Sequence, residues 1–208
     1  MSGNGPSKIN GERIARDVIV IGASLGGVSA LKWLCSELPA DFPGVIGVVL
    51  HRSPMYETDT QGIYERAGKI RVCEPSHEEP LQRGTVYFAP RDRHMLFHRN
   101  LIELSHGPKE HFTRPAIDPL FVSAASAFGT RVIGLLLTGG GSDGVRGLVC
   151  VKFHRGLSVI QDPTEAINPS MPVRALRDDH VDLVTSLKDI PSLLYDLASG
   201  SSILNKPS

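Results

Sequence analysis

The 208-residue sequence predicts an α/β, doubly wound fold: a mostly parallel sheet, helices on both faces, and a small antiparallel hairpin. Three observations predict it. Short, almost wholly apolar runs at 18–21, 44–50 and 131–137 read as strands buried on both faces, the pattern of a parallel sheet. Segments of helical periodicity separate them. Between the second run and the third, residues alternate apolar and polar, as strands with one solvated face do.

Each element follows from its residues. Residues 18–21 are an all-apolar strand, and 26–38 a helix with Leu31, Leu34 and Leu38 on one face and Pro39 beyond its end. Residues 44–50 form a second buried strand, which completes a right-handed βαβ unit. Residues 55–68 read as helical and 69–73 as a short strand. Residues 85–89, 95–98 and 101–105 alternate, and are expected as hairpin strands attached to the parallel core. A polar loop at 106–113 leads to a helix at 117–128, where Ile117, Leu120, Phe121, Ala124 and Phe128 form an apolar stripe. The strand at 131–137 opens into a glycine-rich loop, 138–144, followed by a helix to about His154. A strand at 156–161, a helix at 171–177 with Pro172 at its start, a short strand at 181–183 and a closing helix at 190–198 complete the chain. The expected organisation is a disordered segment at 1–16, one domain at 17–198 and a flexible tail at 199–208.

Bulk properties exclude several classes. Lys plus Arg equals Asp plus Glu, 22 each, so no net field draws the chain to nucleic acid or an anionic membrane. Cys35, Cys73 and Cys150 are an odd count with no close pair, which argues against disulfides and zinc ribbons and fits a reducing compartment. The start is polar and has no apolar core of a signal peptide, and no apolar run approaches a membrane span. The expectation is a cytoplasmic protein with no membrane insertion.

The chemistry concentrates where buried strands end, because ligands of such sheets bind beyond the carboxyl ends of the strands. After the first strand comes Gly22-Ala23-Ser24-Leu25-Gly26, a G-x-S-x-G turn that holds a serine hydroxyl over the sheet edge. After the second comes His51, and the loop after the third carries Asp143. A serine hydroxyl needs an imidazole to take its proton, and the imidazole needs a carboxylate to fix its tautomer. The chain order Ser–His–Asp differs from the Ser–Asp/Glu–His of ordinary α/β-hydrolases, so another hydrolase family is required. Nothing in the pattern calls for a cofactor or a metal.

Plainer readings exist for each residue. Alone, Ser24 and Asp143 also read as helix N-caps, and His51 as a strand-end histidine. His94 and His98 lie in strand-like sequence without a metal-site context. His106 and His111 read as solvated loop residues, and Arg114 and Asp118 as an i, i+4 pair at a helix start. Asp92 either caps the turn before His94 or lines the cleft. The glycines at 139–141 resemble a phosphate cradle but lack a following P-loop lysine.

Taken together, the motifs resemble a known family. They are Ile-Gly-Ala-Ser-x-Gly-Gly at 21–27, His-x-x-Pro at 51–54, Ala-Pro-x-Asp-x-His-Met at 89–95, Arg-Pro-x-x-Asp-x-Leu-Phe at 114–121, Leu-Thr-Gly-x-Gly-x-Asp-Gly at 137–144 and Met-Pro-x-x-Ala at 171–175. In this order they are similar to the catalytic domain of the CheB-type chemotaxis protein-glutamate methylesterases. The resemblance implies hydrolysis of glutamate γ-methyl esters on chemoreceptors, often with deamidation of receptor glutamines. It implies Ser24 as nucleophile, His51 as general base and acid, and Asp143 as the orienting carboxylate. Leu25, Gly26, Gly139, Gly140 and Gly141 become the expected substrate and oxyanion neighbourhood. The implied partner is a methylated chemoreceptor cytoplasmic region or another methylated signalling protein.

Three departures stand out. The family usually has a receiver domain ahead of the catalytic part, whereas about sixteen residues precede the first strand here, too few for a domain. Regulation is then expected from a separate partner. Gly140 stands where the family often has Met, and Arg52 follows His51 as a cation suited to an acidic substrate surface. Specificity is expected in the loops at 53–68, 106–115 and 162–171. The competing functions are a serine esterase for another methyl ester, a non-catalytic signalling module whose binding survives Ser24→Ala, and a nucleotide-binding α/β protein. For the last, Gly22-x-Ser24-x-x-Gly27 lacks the middle glycine of the dinucleotide fingerprint.

Overall fold

A computed structural model describes residues 15–51, 60–177 and 181–200. Strands β1 (Val18–Ala23) and β2 (Val45–Leu50) flank helix α1 (Gly27–Glu37), and every residue of both strands is buried. After α2 (Thr60–Glu65) come β3 (Arg71–Cys73), β4 (Glu79–Pro80), β5 (Thr85–Phe88), β6 (His94–His98) and β7 (Leu101–Ser105). Helix α3 (Ile117–Phe128), β8 (Val132–Leu136), α4 (Val145–Phe153), β9 (Leu157–Gln161), α5 (Ser170–Arg177), β10 (Leu183–Thr185) and α6 (Ile190–Ala198) complete the order.

The main sheet has seven strands in the order β10-β9-β8-β1-β2-β5-β3, and all its pairings are parallel. Period-2 alternation divides its apolar residues between two cores. Ile19, Ile21 and Ala23 join Leu31 and Leu34 of α1 and Ile190 and Leu194 of α6 on one face. Val18 and Val20 join Ile117, Leu120 and Phe121 of α3 and Leu148 of α4 on the other. The doubly wound architecture follows, because each face of an all-apolar strand needs its own cover. Among the described residues, no helix is long and apolar enough to cross a membrane.

One expectation is corrected. Residues 85–89 are not part of the antiparallel unit, because β5 lies inside the parallel sheet between β2 and β3. The antiparallel unit is a three-stranded sheet, β4-β7-β6, whose hairpin β6–β7 matches the expected strands. Thr85 and Tyr87 look like outward-facing residues in sequence, yet both are buried. The small sheet covers Tyr87, whose hydroxyl donates to Pro80 O at 3.2 Å and accepts from Gln82 N at 3.1 Å. On the opposite face Phe88 stacks on Tyr64 with ring centroids 4.4 Å apart.

The last strand lies two residues later than expected, and the expected helix at 55–68 is described only from Thr60 onward. Arg52 lies outside the described residues. Arg16, counted with the leading segment, donates its amide to Leu197 O at 2.9 Å. At the amino end of β1, Asp17 is buried and held by Arg131 (2.7 and 3.0 Å) and Arg83 (2.7 Å).

Candidate active site

β1 is the switch strand of the sheet: β2 lies on one side and β8 on the other. Its carboxyl end is where a ligand crevice opens in such folds. Ala23 pairs with Leu50, and the pairing continues one step as His51 N donates to Ala23 O at 2.9 Å. Ser24 and His51 therefore follow directly from neighbouring parallel strands. On the other side Ser24 N donates to Thr138 O at 3.0 Å, which ties the serine to the start of the glycine loop.

Ser24 is not a helix cap. Gly26, left-handed at φ 84°, is the N-cap residue of α1, and Ser24 O accepts from Gly27 N at 2.8 Å. An L-residue at Gly26 would be strained, and its Cβ would fall 2.7 Å from that of Ile167. Gly139 matters for a different reason, close approach: a Cβ there would sit 2.8 Å from Ser24 Cβ. The Gly139 amide is taken by Asn168 O at 2.9 Å. The amides of Leu25, Gly26, Gly140 and Gly141 have no acceptor among the described residues. Unpaired N–H groups of this kind are able to meet a developing negative charge. Gly140 has room, since a Cβ there meets only Asn168 Nδ2, at 3.4 Å.

His51 Nε2 donates to Asp143 Oδ2 at 2.8 Å. That bond leaves Nδ1 as the ring nitrogen able to accept a proton. Asp143 is buried at 2% exposure, and its carboxylate takes two further donors, Ile117 N at 2.7 Å and Asp118 N at 2.9 Å. Burial pushes its carboxyl up, but the bonds from His51 and the two amides outweigh burial and hold it below the usual carboxylate range.

Asp143 precedes α4, yet it caps α3. Asp118, in the first turn of α3, does the converse: its Oδ1 accepts from Gly144 N at 3.0 Å and Gly147 N at 2.7 Å at the start of α4. Each helix start carries orphan N–H groups, and each aspartate satisfies those of the other helix. Asp118 is fully buried, and burial pushes its carboxyl up, with the Asp143 charge adding to the rise. His111 Nε2 donates to Asp118 Oδ2 at 2.9 Å, and Arg146 Nε lies 3.5 Å from the same oxygen.

Sequence reasoning missed this pairing. His111 reads as a solvated loop residue and Asp118 as the i, i+4 partner of Arg114; His111 is exposed, but its ring bonds buried Asp118, and the two extend the Asp143 network. Arg114 instead bonds Asp92 (2.7 and 3.0 Å) and the carbonyls of His106 and Gly107. His94 is buried, donating from Nε2 to Pro108 O at 2.9 Å and accepting at Nδ1 from Ala116 N at 3.2 Å, which sets the entry to α3.

His111, Asp118 and Asp143 bring ligand atoms within 4.8 Å of one another. Their oxygens already accept N–H bonds, so the donor set is occupied as a hydrogen-bond network rather than open for a cation.

Comparisons with known proteins bear on the family and the fold. The CheB methylesterase family profile matches residues 19–194. A putative protein-glutamate methylesterase/protein-glutamine glutaminase of Leptospira interrogans is 36% identical over 182 residues, 87% of this chain and 94% of that protein. A protein of Anaeromyxobacter dehalogenans named protein-glutamate methylesterase/protein-glutamine glutaminase 2 is 38% identical over 186 residues, 89% of this chain and 54% of its own length. The crystal structure of the Thermotoga maritima CheB methylesterase catalytic domain superposes with a TM-score of 0.83 at 29% identity, covering 88% of this chain and all of that one.

Proposed function

The chain belongs to the CheB methylesterase family, and from that premise we propose that it hydrolyses glutamate γ-methyl esters, and deamidates glutamines, on chemoreceptors. The observation that carries the reading is the His51–Asp143 hydrogen bond set beside Ser24 at the switch point of the sheet. The catalytic unit is assigned to residues 17–198.

Ser24 Oγ attacks the ester carbonyl while His51 Nδ1 takes its proton. Asp143, held ionised, keeps the imidazole oriented through Nε2 and stabilises the cation it becomes. The oxyanion is met by amides of Leu25 and Gly26, with Gly140 and Gly141 across the cleft; one such donor is worth about 3 kcal/mol of barrier. The proton returns to the leaving methoxide, methanol departs, and a glutamyl ester of Ser24 remains. Water, giving its proton to His51, then releases the glutamate and restores Ser24. With glutamine the leaving group is ammonia and the same ester follows.

Peptide mass spectrometry of a methylated receptor fragment tests the reading. Conversion of methylated glutamates to glutamates that requires His51 supports it. Unchanged peptides under conditions where a small ester is hydrolysed exclude the receptor substrate.

A further inference from the structure

Residues 110–113 form a hairpin tip beside the imidazole. Glu110 and Thr113 exchange both backbone hydrogen bonds, at 3.2 and 2.8 Å, and the two residues between them, His111 and Phe112, are left-handed at φ 49° and 62°. Such turns suit asparagine and glycine; a bulky aromatic there is strained.

The turn is tethered on three of its four side chains. Arg146 donates to Glu110 Oε2 at 2.5 Å, and His111 donates to buried Asp118. Thr113 Oγ1 donates to Glu110 O at 3.0 Å and lies 3.5 Å from His51 Nε2. The fourth side chain, Phe112, is 97% exposed, more than any other large apolar residue among those described. On the Ser24 side of the cleft, Leu25 and Ile167 are also mostly exposed, Ile167 standing over Gly26.

Among the described residues, Phe112 belongs to neither apolar core, yet a left-handed turn holds it outward next to Thr113, the residue that touches His51. The side-chain ester of a glutamate is short. A protein that delivers it to Ser24 must therefore press its own surface against the mouth, where these apolar side chains stand. We propose that Phe112 is a docking residue for the protein that carries the ester, packing on an apolar surface next to the modified glutamate, so that the enzyme favours a protein-borne ester over a free one. This inference rests on the methylesterase reading above.

The test compares kinetics on a methylated receptor cytoplasmic fragment with kinetics on N-acetylglutamic acid γ-methyl ester. For Phe112→Ala and Phe112→Gly, KM for the receptor fragment is expected to rise about tenfold at unchanged kcat, as loss of an aromatic contact does. Phe112→Tyr keeps the wild-type value, and the loss does not extend to the small ester. Because glycine relieves the left-handed strain, Phe112→Gly melts no lower than wild type while losing receptor affinity, a pairing that a purely structural role does not produce. An unchanged KM on the receptor fragment overturns the proposal, as does an equal loss on both substrates. If the wild type hydrolyses the small ester but never the receptor fragment, the receptor reading fails, and the docking role with it.

Discussion

Asp143 and Asp118 each cap the helix that the other one starts. The Asp143 carboxylate receives the amides of Ile117 and Asp118, and the Asp118 carboxylate receives those of Gly144 and Gly147. The exchange fixes α3 against α4 and at the same time aims the remaining lone pair of Asp143 Oδ2 at His51. The position of the Asp143 carboxylate thus depends on a second, fully buried aspartate.

Asp118→Ala leaves two buried amides without acceptors, a loss of about 1–3 kcal/mol per group. For a chain of this size each kcal/mol lowers Tm by about 2–4 °C. The expected result is a clear fall in Tm with a fall in kcat, as Asp143 loses its fixed position. Asp118→Asn retains an acceptor oxygen and loses less. Calorimetry beside steady-state kinetics checks this, and a variant with normal Tm and normal kcat contradicts the mutual cap.

Gly139→Ala introduces a Cβ 2.8 Å from that of Ser24, so the serine must move. Displacement of a nucleophile by about 1 Å costs on the order of 100-fold in rate. The expected signature is a large drop in kcat. Gly140→Ala, by contrast, places a Cβ in ordinary contact with Asn168 Nδ2, at 3.4 Å, and is expected to fold and to lose far less activity. Equal activity of the two variants would contradict the packing of the glycine loop against Ser24.

Stability is expected to fall in acid. Burial pushes Asp17, Asp143 and Asp182 up, but bonds from Arg131 to Asp17, from His51 and backbone amides to Asp143, and from Ser158 and Lys152 to Asp182 outweigh it and hold all three below the usual carboxylate range. The folded chain then binds these protons less tightly than the unfolded chain, whose aspartates titrate near about 3.9. Their contribution is complete above that value and is lost as pH falls through the lower folded values. Asp118, pushed up by burial, acts in the opposite sense, its contribution declining as pH rises through its folded value. Urea midpoints measured from neutral pH to about pH 3 should drop at the acid end, with a shallower drop in Asp17→Asn. A flat acid limb in the wild type contradicts the assignment.

Sequence made the strand ends legible because an all-apolar run has only one comfortable place, a doubly covered parallel strand, and the residue after it must reach the rim. That logic places Ser24, His51 and the Asp143 loop at one edge. It fails for residues whose polar atoms are satisfied inside. Tyr87 and Thr85 carry hydroxyls and look half-exposed, yet both are buried, Tyr87 beneath the second sheet. Arg114 and Asp118 have helical spacing, yet α3 begins only at Ile117, after Pro115, so the two do not share a helix face. The mutual cap has no local signature, since each aspartate serves amides about 25 residues away in sequence.

The most direct measurement is methanol release from methylated chemoreceptor fragments by the wild type and by Ser24→Ala, with a fluorophosphonate probe to report on the serine. The account predicts release and probe labelling by the wild type and neither by Ser24→Ala. More than about half the wild-type rate in Ser24→Ala would contradict it, because removal of an acyl-transfer nucleophile eliminates nearly all turnover.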